Sequence, residues 1–385
     1  MREVLLLDAA RTPFGKNRGG LSGVRVDDLA AHPLRELVGR HPGAPIEDVV
    51  YGNANGAGED NRNVARMATL LAGLPVTVPG VTVNRLCGSG AEAIVHAGRA
   101  LALGDAELVV AGGVEGMSRA PYVLPPVDTT LPRRMELVPT TVGWRMPNPA
   151  FPAAWTESLG GTMDRVAAEQ GIGRARQDEW AARSHQRAHE AWEKGRHDDV
   201  VVPLAGVTRD EPVRPGCDPA GLAALPPAFC PDGTLTVGNS SPVSDGAIAV
   251  LMGSRDAARE LGLAPMARVV SSAVAAVEPD RFALAPVPAV RAALRKAGWS
   301  LADVAVVELN EAFAAMVLAC VDHLEVPEDR VNPNGGAIAL GHPLGASAAR
   351  AVVDCARELA RRGGGIGVAA ACIGVGQGIA VVLEA

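Results

Sequence analysis

The chain has 385 residues, of which 48% are apolar, 21% charged and only 3% aromatic. That length exceeds one ordinary core and implies two or three domain-sized units with a soluble, globular balance. A formal net charge of −7 and the scarcity of aromatics exclude a general nucleic-acid binder, which needs a basic face and stacking platforms.

The first element, VLLLDAA at Val4–Ala10, is an apolar run stopped by Asp8. It is too short for a signal-peptide core and reads as a buried first strand. EDVVYGNA follows as a second strand, then a helix near Asn63–Leu74, the strand VTV before Asn84, a helix over Ser89–Leu103, and the strand ELVVAGG. Continuous apolar strands between helices predict parallel sheets covered on both faces. From Pro121 to about Gly238 prolines crowd, and one polar helix is expected over Arg174–Lys194. The alternation then resumes with AIAVLM, ARVVSSAVAAV, DVAVVELN, GIGVAAA and GIAVVLE. This divides the chain into an N-terminal α/β half (1–119), an inserted loop domain (120–243) and a C-terminal α/β half (244–385). No stretch approaches the roughly 18 apolar residues of a membrane helix. The six cysteines show no CxxC pair, so neither zinc nor disulfides are expected and a reduced, cytoplasmic enzyme is.

The two halves resemble each other. IEDVVYGNANGAG and LADVAVVELNEAFA are both strands ending in an Asn-bearing loop. Each is followed by a Gly-rich loop opening a small-residue helix (NRLCGSGAEA, ALGHPLGASAA), then by a strand running into glycines (AGGVEGM, ACIGVGQG). Two copies of one α/β unit facing each other explain this, and their loops are expected to converge at the strands' carboxyl ends.

The chemistry sits in those loops. Cys87 stands between a strand and a helix, flanked by Gly88 and Gly90, where a helix N-terminus favours thiolate. A dipole plus a nearby imidazole is expected to leave it mostly ionised, although most isolated cysteines are inert core residues. His342 lies in a Gly-rich loop opening a helix and is the residue type suited to take a proton near neutral pH. Cys372 ends a strand in glycines. Asn310 and Glu311 end another, where an Asn is usually a cap and a carboxylate a helix N-terminal charge.

NRLCGSG, GGVEGMS, GNSSPVSDGA, NEAFA, NPNGGAIALGHPLGAS and CIGVGQG, in that order across the whole chain, resemble the signature set of the thiolase family. The resemblance implies the thiolase fold: two similar α/β halves forming a five-layered αβαβα core with an inserted loop domain. It implies a CoA-dependent acyltransferase in which Cys87 is acylated, His342 activates it and Cys372 shuttles a proton. Asn310, through a held water, and His342 match the hole for the enolate oxygen. The backbone N–H groups of Cys87 and Gly374 match the hole for the tetrahedral intermediate. Ser241 matches a pantetheine contact, Arg214 and Phe229 match the nucleotide part of the CoA tunnel, and Leu159 and Phe313 are further residues expected to bind CoA. Coenzyme A is expected as co-substrate, with no permanent cofactor and no metal, and the assembly as a homodimer or homotetramer.

Three segments depart from the common pattern. LPPAF lacks a usual lysine, Thr162-Met163-Asp164-Arg165 replaces a usual TAEN, and Ser158-Leu159-Gly160 replaces the His-Met-Gly of acetoacetyl-CoA thiolases. GEDNRNVARMATLLAGLP, TTVGWRMPNP and CIGVGQG look most like the 3-oxoadipyl-CoA thiolases of aromatic catabolism. Such a substrate ends in a second carboxylate, for which Arg133, Arg134 and Arg145 are candidates. The alternatives are an acetoacetyl-CoA or broad-range 3-ketoacyl-CoA thiolase and a non-catalytic CoA- or lipid-binding relative. A Cys/His/Asn hydrolase leaves Cys372 and the duplication unexplained, and a carrier-protein ketosynthase would carry His or Asn in place of Cys372.

Overall fold

The computed structural model describes residues 2–127, 130 and 134–385. The opening apolar run forms β1 (Leu5–Arg11), followed by the short β2 (Gly15–Lys16). Next come α1 (Val26–Arg40), β3 (Asp48–Gly52), α2 (Val64–Leu71), β4 (Gly80–Val83), α3 (Ser89–Leu103) and β5 (Leu108–Gly116). Asn63 starts α2 by accepting the Arg66 N–H, and Gly104 ends α3 in the left-handed conformation that glycine adopts freely. The excursion holds a ribbon of β6 (Tyr122–Val123) and β7 (Val138–Pro139), then α4 (Leu159–Glu169), α5 (Arg174–Glu193) and α6 (Pro219–Ala223). The sequence predicts only α5 there. Two glycines hide α4, and Ser158 starts it by accepting the Gly161 N–H.

The remaining elements are β8 (Ser244–Gly253), α7 (Arg255–Glu260), β9 (Ala267–Ala276), α8 (Pro286–Ala297), β10 (Val304–Leu309) and α9 (Ala314–Leu324). The chain then closes with α10 (Ala337–Leu340), α11 (Leu344–Arg361), β11 (Ile366–Ile373) and β12 (Gln377–Glu384).

The long strands run in the order β10-β11-β12-β9-β1-β8-β5-β3-β4, with β2 pairing beside β8. This order reads as two copies of one sheet meeting at β9–β1, where two residue pairs join them (Leu5↔Arg268, Leu6↔Ala267). In each copy a parallel pair (β3–β5, β10–β11) continues into antiparallel neighbours. The counterpart of β4 is a single parallel bridge, Val307↔Val331. The expected boundary at residue 244 does not coincide with a sheet edge. All ten residues of β8 are buried, and it lies antiparallel between β1 and β5, completing the first sheet.

Three cores stack to give the five layers. Leu34 and Val64 of α1 and α2 pack on Val49 and Val110 of one sheet face. Ile94 of α3 and Val353 of α11 pack between the sheets with Val250 and Ile379. Leu294 and Val317 of α8 and α9 cover the far face with Val382, joined by Met163 and Trp180 of the insertion. Small residues such as Gly90 of α3 and Ala349 of α11 let these two helices approach closely between the sheets. No helix among the described residues is long and apolar enough to cross a membrane.

Candidate active site

Cys87 lies in a one-turn segment, Leu86–Gly88, between β4 and α3. Leu86 is held at φ +46°, a left-handed conformation that a leucine resists. Asn84 Oδ1 accepts the Leu86 N–H at 2.9 Å, while Ser89 Oγ accepts from Arg85 N–H at 2.9 Å and donates to the Leu86 carbonyl at 2.6 Å. Arg85 is anchored in turn to Glu92 (2.8 Å) and to Gln377 of the other half (3.0 Å). The strain is therefore held by side chains from both repeats. Cys87 is buried, and the Gly374 N–H is directed at its sulfur.

The expected ionised thiolate is not what this setting produces. Burial pushes the Cys87 thiol up to about 11, outweighing the N–H groups of Gly374 and of Cys87 itself, and nearby Glu115 raises it further. The resting nucleophile is a thiol, because loss of water costs the anion more than two amide dipoles return.

His342 sits between α10 and α11, after Gly341 at φ +108°. Its N–H donates to Ser244 Oγ at 3.1 Å. Its Nδ1 is 2.8 Å from Ser347 Oγ, and that hydroxyl donates its one proton to the Pro343 carbonyl at 2.8 Å. Ser347 can then only accept, which assigns the ring proton to Nδ1 and leaves the lone pair on Nε2. Burial, with Arg350 nearby, pushes His342 down to about 4, so the ring is neutral and free to take a proton. Asn310 Nδ2 lies 3.4 Å from both ring nitrogens. Its Oδ1 is buried without a hydrogen-bond partner among the described residues. Cys372 is the next-to-last residue of β11, where burial and the neighbouring Cys87 push its thiol well up.

A cavity of about 380 Å³ opens on Cys87, lined by Gly374, Leu159, Met117, Trp144 and Arg145 among others. Four of the residues expected at CoA share one neighbourhood. The Ser241 N–H donates to the Ala312 carbonyl at 3.0 Å, the rings of Phe229 and Phe313 meet edge to face at 5.9 Å, and Phe229 covers Gly160 beside Leu159. Arg214 is exposed, and its N–H donates to His185 Nδ1 at 3.2 Å. Of the three arginines, Arg133 lies outside the described residues, Arg134 is exposed, and Arg145 lines the cavity.

Residues 4–256 match the family description "Thiolase, N-terminal domain", and residues 263–385 match "Thiolase, C-terminal domain". The chain belongs to the thiolase family. Among curated proteins it is 49% identical to a beta-ketoadipyl-CoA thiolase of Escherichia coli, covering 100% of both chains. It is also 49% identical to a beta-ketoadipyl-CoA thiolase of Pseudomonas aeruginosa, covering 100% of this chain and 99% of that one. Among solved structures, human mitochondrial 3-ketoacyl-CoA thiolase superposes with a TM-score of 0.93 at 37% identity, over 100% of this chain and 99% of the other. Bacillus anthracis acetyl-CoA acetyltransferase matches with the same TM-score at 38% identity and the same coverage. Thiolases are acyltransferases that take acyl-CoA and CoA as substrates.

The thiolase site contains residues that sequence reasoning missed. Glu115 is buried and accepts N–H groups from Ala54 (2.9 Å), Asn55 (3.1 Å) and Gly345 (3.0 Å), tying the Asn-bearing loop of one half to the histidine loop of the other. Burial pushes its carboxyl up to about 7 against those three donors. Glu311, expected as a helix N-terminal charge, is instead enclosed by Trp180 Nε1 (3.0 Å), Ser184 Oγ (2.6 Å), Asn332 Nδ2 (2.8 Å) and Ile338 N–H (3.2 Å). Both carboxylates lie inside motifs already singled out, GGVEGMS and NEAFA. Ser347 is a residue of the GHPLGAS motif, but only the folded turn shows that it orients His342.

Proposed function

We propose that this chain catalyses the CoA-dependent cleavage of 3-oxoadipyl-CoA (beta-ketoadipyl-CoA) to succinyl-CoA and acetyl-CoA through acyl-Cys87. One observation carries the mechanism: the Cys87 thiol opens onto a substrate-sized cavity, receives the Gly374 N–H, and belongs to the same loop cluster as a neutral, singly oriented imidazole. The relatives named for beta-ketoadipyl-CoA support the substrate.

The proton moves with the attack rather than before it, because both partners are held neutral at rest. His342 Nε2 takes the Cys87 proton as sulfur adds to the 3-keto carbon. The N–H groups of Gly374 and Cys87 receive the alkoxide, and such donors contribute a few kcal/mol each. The bond between C2 and C3 then breaks. Acetyl-CoA leaves as its enolate, whose oxygen is met by the imidazolium and by Asn310 through a water, and Cys372 protonates its carbon. The resulting Cys372 thiolate takes the proton of an incoming CoA thiol. That CoA attacks the acyl-Cys87 thioester, and Cys87 leaves, recovering its proton from His342. Condensation runs the same steps backwards. Ser241, Phe229, Phe313 and Leu159 hold pantetheine, and Arg214 meets the nucleotide. The unit acts in the cytoplasm as a homodimer or a dimer of dimers, a reading consistent with the exposed apolar side chains of the excursion, Tyr122, Leu137 and Val142 among them.

The test is CoA-dependent cleavage of 3-oxoadipyl-CoA, acetoacetyl-CoA and 3-oxooctanoyl-CoA, with Cys87→Ala as control and mass spectrometry of Cys87 after incubation with acetyl-CoA. Preference for 3-oxoadipyl-CoA, an acylated Cys87, and loss of both in the variant are expected. Better turnover of acetoacetyl-CoA would keep the chemistry and overturn the substrate. A folded protein that binds CoA without cleaving any of the three would overturn the chemistry.

A further inference from the structure

The cavity at Cys87 is largely apolar, and among the described residues lining it Arg145 is the only Lys or Arg. A guanidinium facing an apolar cavity loses hydration without recovering it from apolar neighbours, so its placement needs a reason. Arg145 is no flexible surface arginine. Its two terminal nitrogens donate to Asn55, Nη1 to Oδ1 at 2.7 Å and Nη2 to the backbone carbonyl at 2.9 Å. Asn55 is itself held: Glu115 accepts its N–H at 3.1 Å, and its Nδ2 donates to Thr140 Oγ1 at 3.1 Å. Thr140 in turn donates to the Pro121 carbonyl at 2.6 Å, where the β6–β7 ribbon begins. Both anchors of Arg145 are neutral, and among the described residues no carboxylate lies within ion-pair distance of it. None of those residues pairs with its charge, and at least Nε–H is left for a ligand. Glu115, the one carboxylate among the described residues lining the cavity, is turned onto backbone N–H groups and does not neutralise it.

We propose that Arg145, oriented by Asn55, is the specificity-determining residue of this site and receives a carboxylate at the far end of the acyl chain. This rests on the reading that Cys87 is acylated within the cavity. In succinyl-Cys87 two methylene groups separate the thioester carbon from the free carboxylate, so that charge must lie inside the same enclosure as the sulfur. Unpaired, it would strongly oppose binding, whereas a guanidinium with free donors pairs with it directionally. A methyl-terminated chain of equal length would leave Arg145 desolvated without a partner. The same residue therefore attracts the dicarboxylic acyl group and disfavours the neutral one.

The experiment compares kcat/KM for 3-oxoadipyl-CoA and 3-oxohexanoyl-CoA, which has the same carbon count and a methyl terminus, in the wild type, Arg145→Leu and Arg145→Lys. In Arg145→Leu the ratio of the two is expected to fall by at least about thirtyfold, as for loss of one partner of an enclosed charge pair. Arg145→Lys is expected to fall between, since it keeps the charge and loses the planar fork. A ratio unchanged within threefold in Arg145→Leu would overturn the proposal, as would equal losses on both substrates in both variants, which would mark Arg145 as structural. Wild-type enzyme inert toward both thioesters would instead sink the cleavage reading itself. The two failures are therefore distinguishable.

Discussion

Cys87 and His342 are each held in the neutral state, by the same cause acting on opposite charge types. Burial raises a thiol because its charged form is the anion, and lowers an imidazole because its charged form is the cation. For His342 this has a measurable consequence. The base works unprotonated, so activity is lost as pH falls through its folded value of about 4, not through the ordinary 6.5. With acetoacetyl-CoA, whose acyl group ends in a methyl, kcat/KM is expected to stay level with respect to His342 down to about pH 5. An inflection near 7 would belong to Glu115, raised to about 7 by burial, and Glu115→Gln would remove it. An acid limb at 6 to 6.5 that survives in Glu115→Gln would show that His342 is solvated and the neutral-pair mechanism wrong. At this scale the sequence singled out Cys87 and His342 from their loops, and the ionised thiolate it led one to expect is replaced by a buried thiol. The helix-end and glycine signals around Cys87 are local, whereas desolvation comes from chain segments that meet only in the fold.

The elements that matter most are α3 and α11, which carry Cys87 and His342 at their N-termini. Their limits were legible. The predicted Ser89–Leu103 matches α3 residue for residue because a Gly-rich turn precedes it and a left-handed glycine ends it. Their mutual approach was not legible. A Cβ at Gly90 would stand 2.7 Å from the Gly345 carbonyl oxygen and 2.9 Å from the Ala349 Cβ, so the helices touch backbone to backbone. Gly90→Ala is expected to cost about 1–3 kcal/mol through overpacking. It should also lower kcat, since relief of the clash moves the His342 loop away from the Cys87 loop. Urea unfolding and thiolysis rates check both. A midpoint within error of the wild type would mean that the central layer has slack. The excursion shows the opposite limit: α4 has two glycines in its first turn and was missed, since its stability comes from packing on the second half rather than from propensity.

For the whole molecule, the decisive contact is between the insertion and the C-terminal half. Glu311 accepts from Trp180 and Ser184 of α5, from Asn332, and from Ile338 of α10, the short helix just before His342. Glu311→Ala would leave these donors buried and unpaired, at a cost of about 3 kcal/mol or more. Glu311→Gln, which keeps one acceptor, should cost less. Thermal unfolding and limited proteolysis of the insertion are the measurements, and an alanine variant cleaved no faster than wild type would show that α5 is docked by its apolar face alone. Much of the molecule was determined by sequence alone: the α/β class, the duplication, the family and the positions of Cys87, His342, Asn310 and Cys372. Those follow from hydrophobic period, glycine placement and motif order, all local along the chain. Only the tertiary structure decided that β8 completes the first sheet, that the nucleophile and base rest neutral, which ring nitrogen of His342 carries the proton, and that Arg145 rather than Arg134 reaches the cavity. Burial and the approach of residues far apart in the chain set each of these, and neither is a property of any short stretch of sequence.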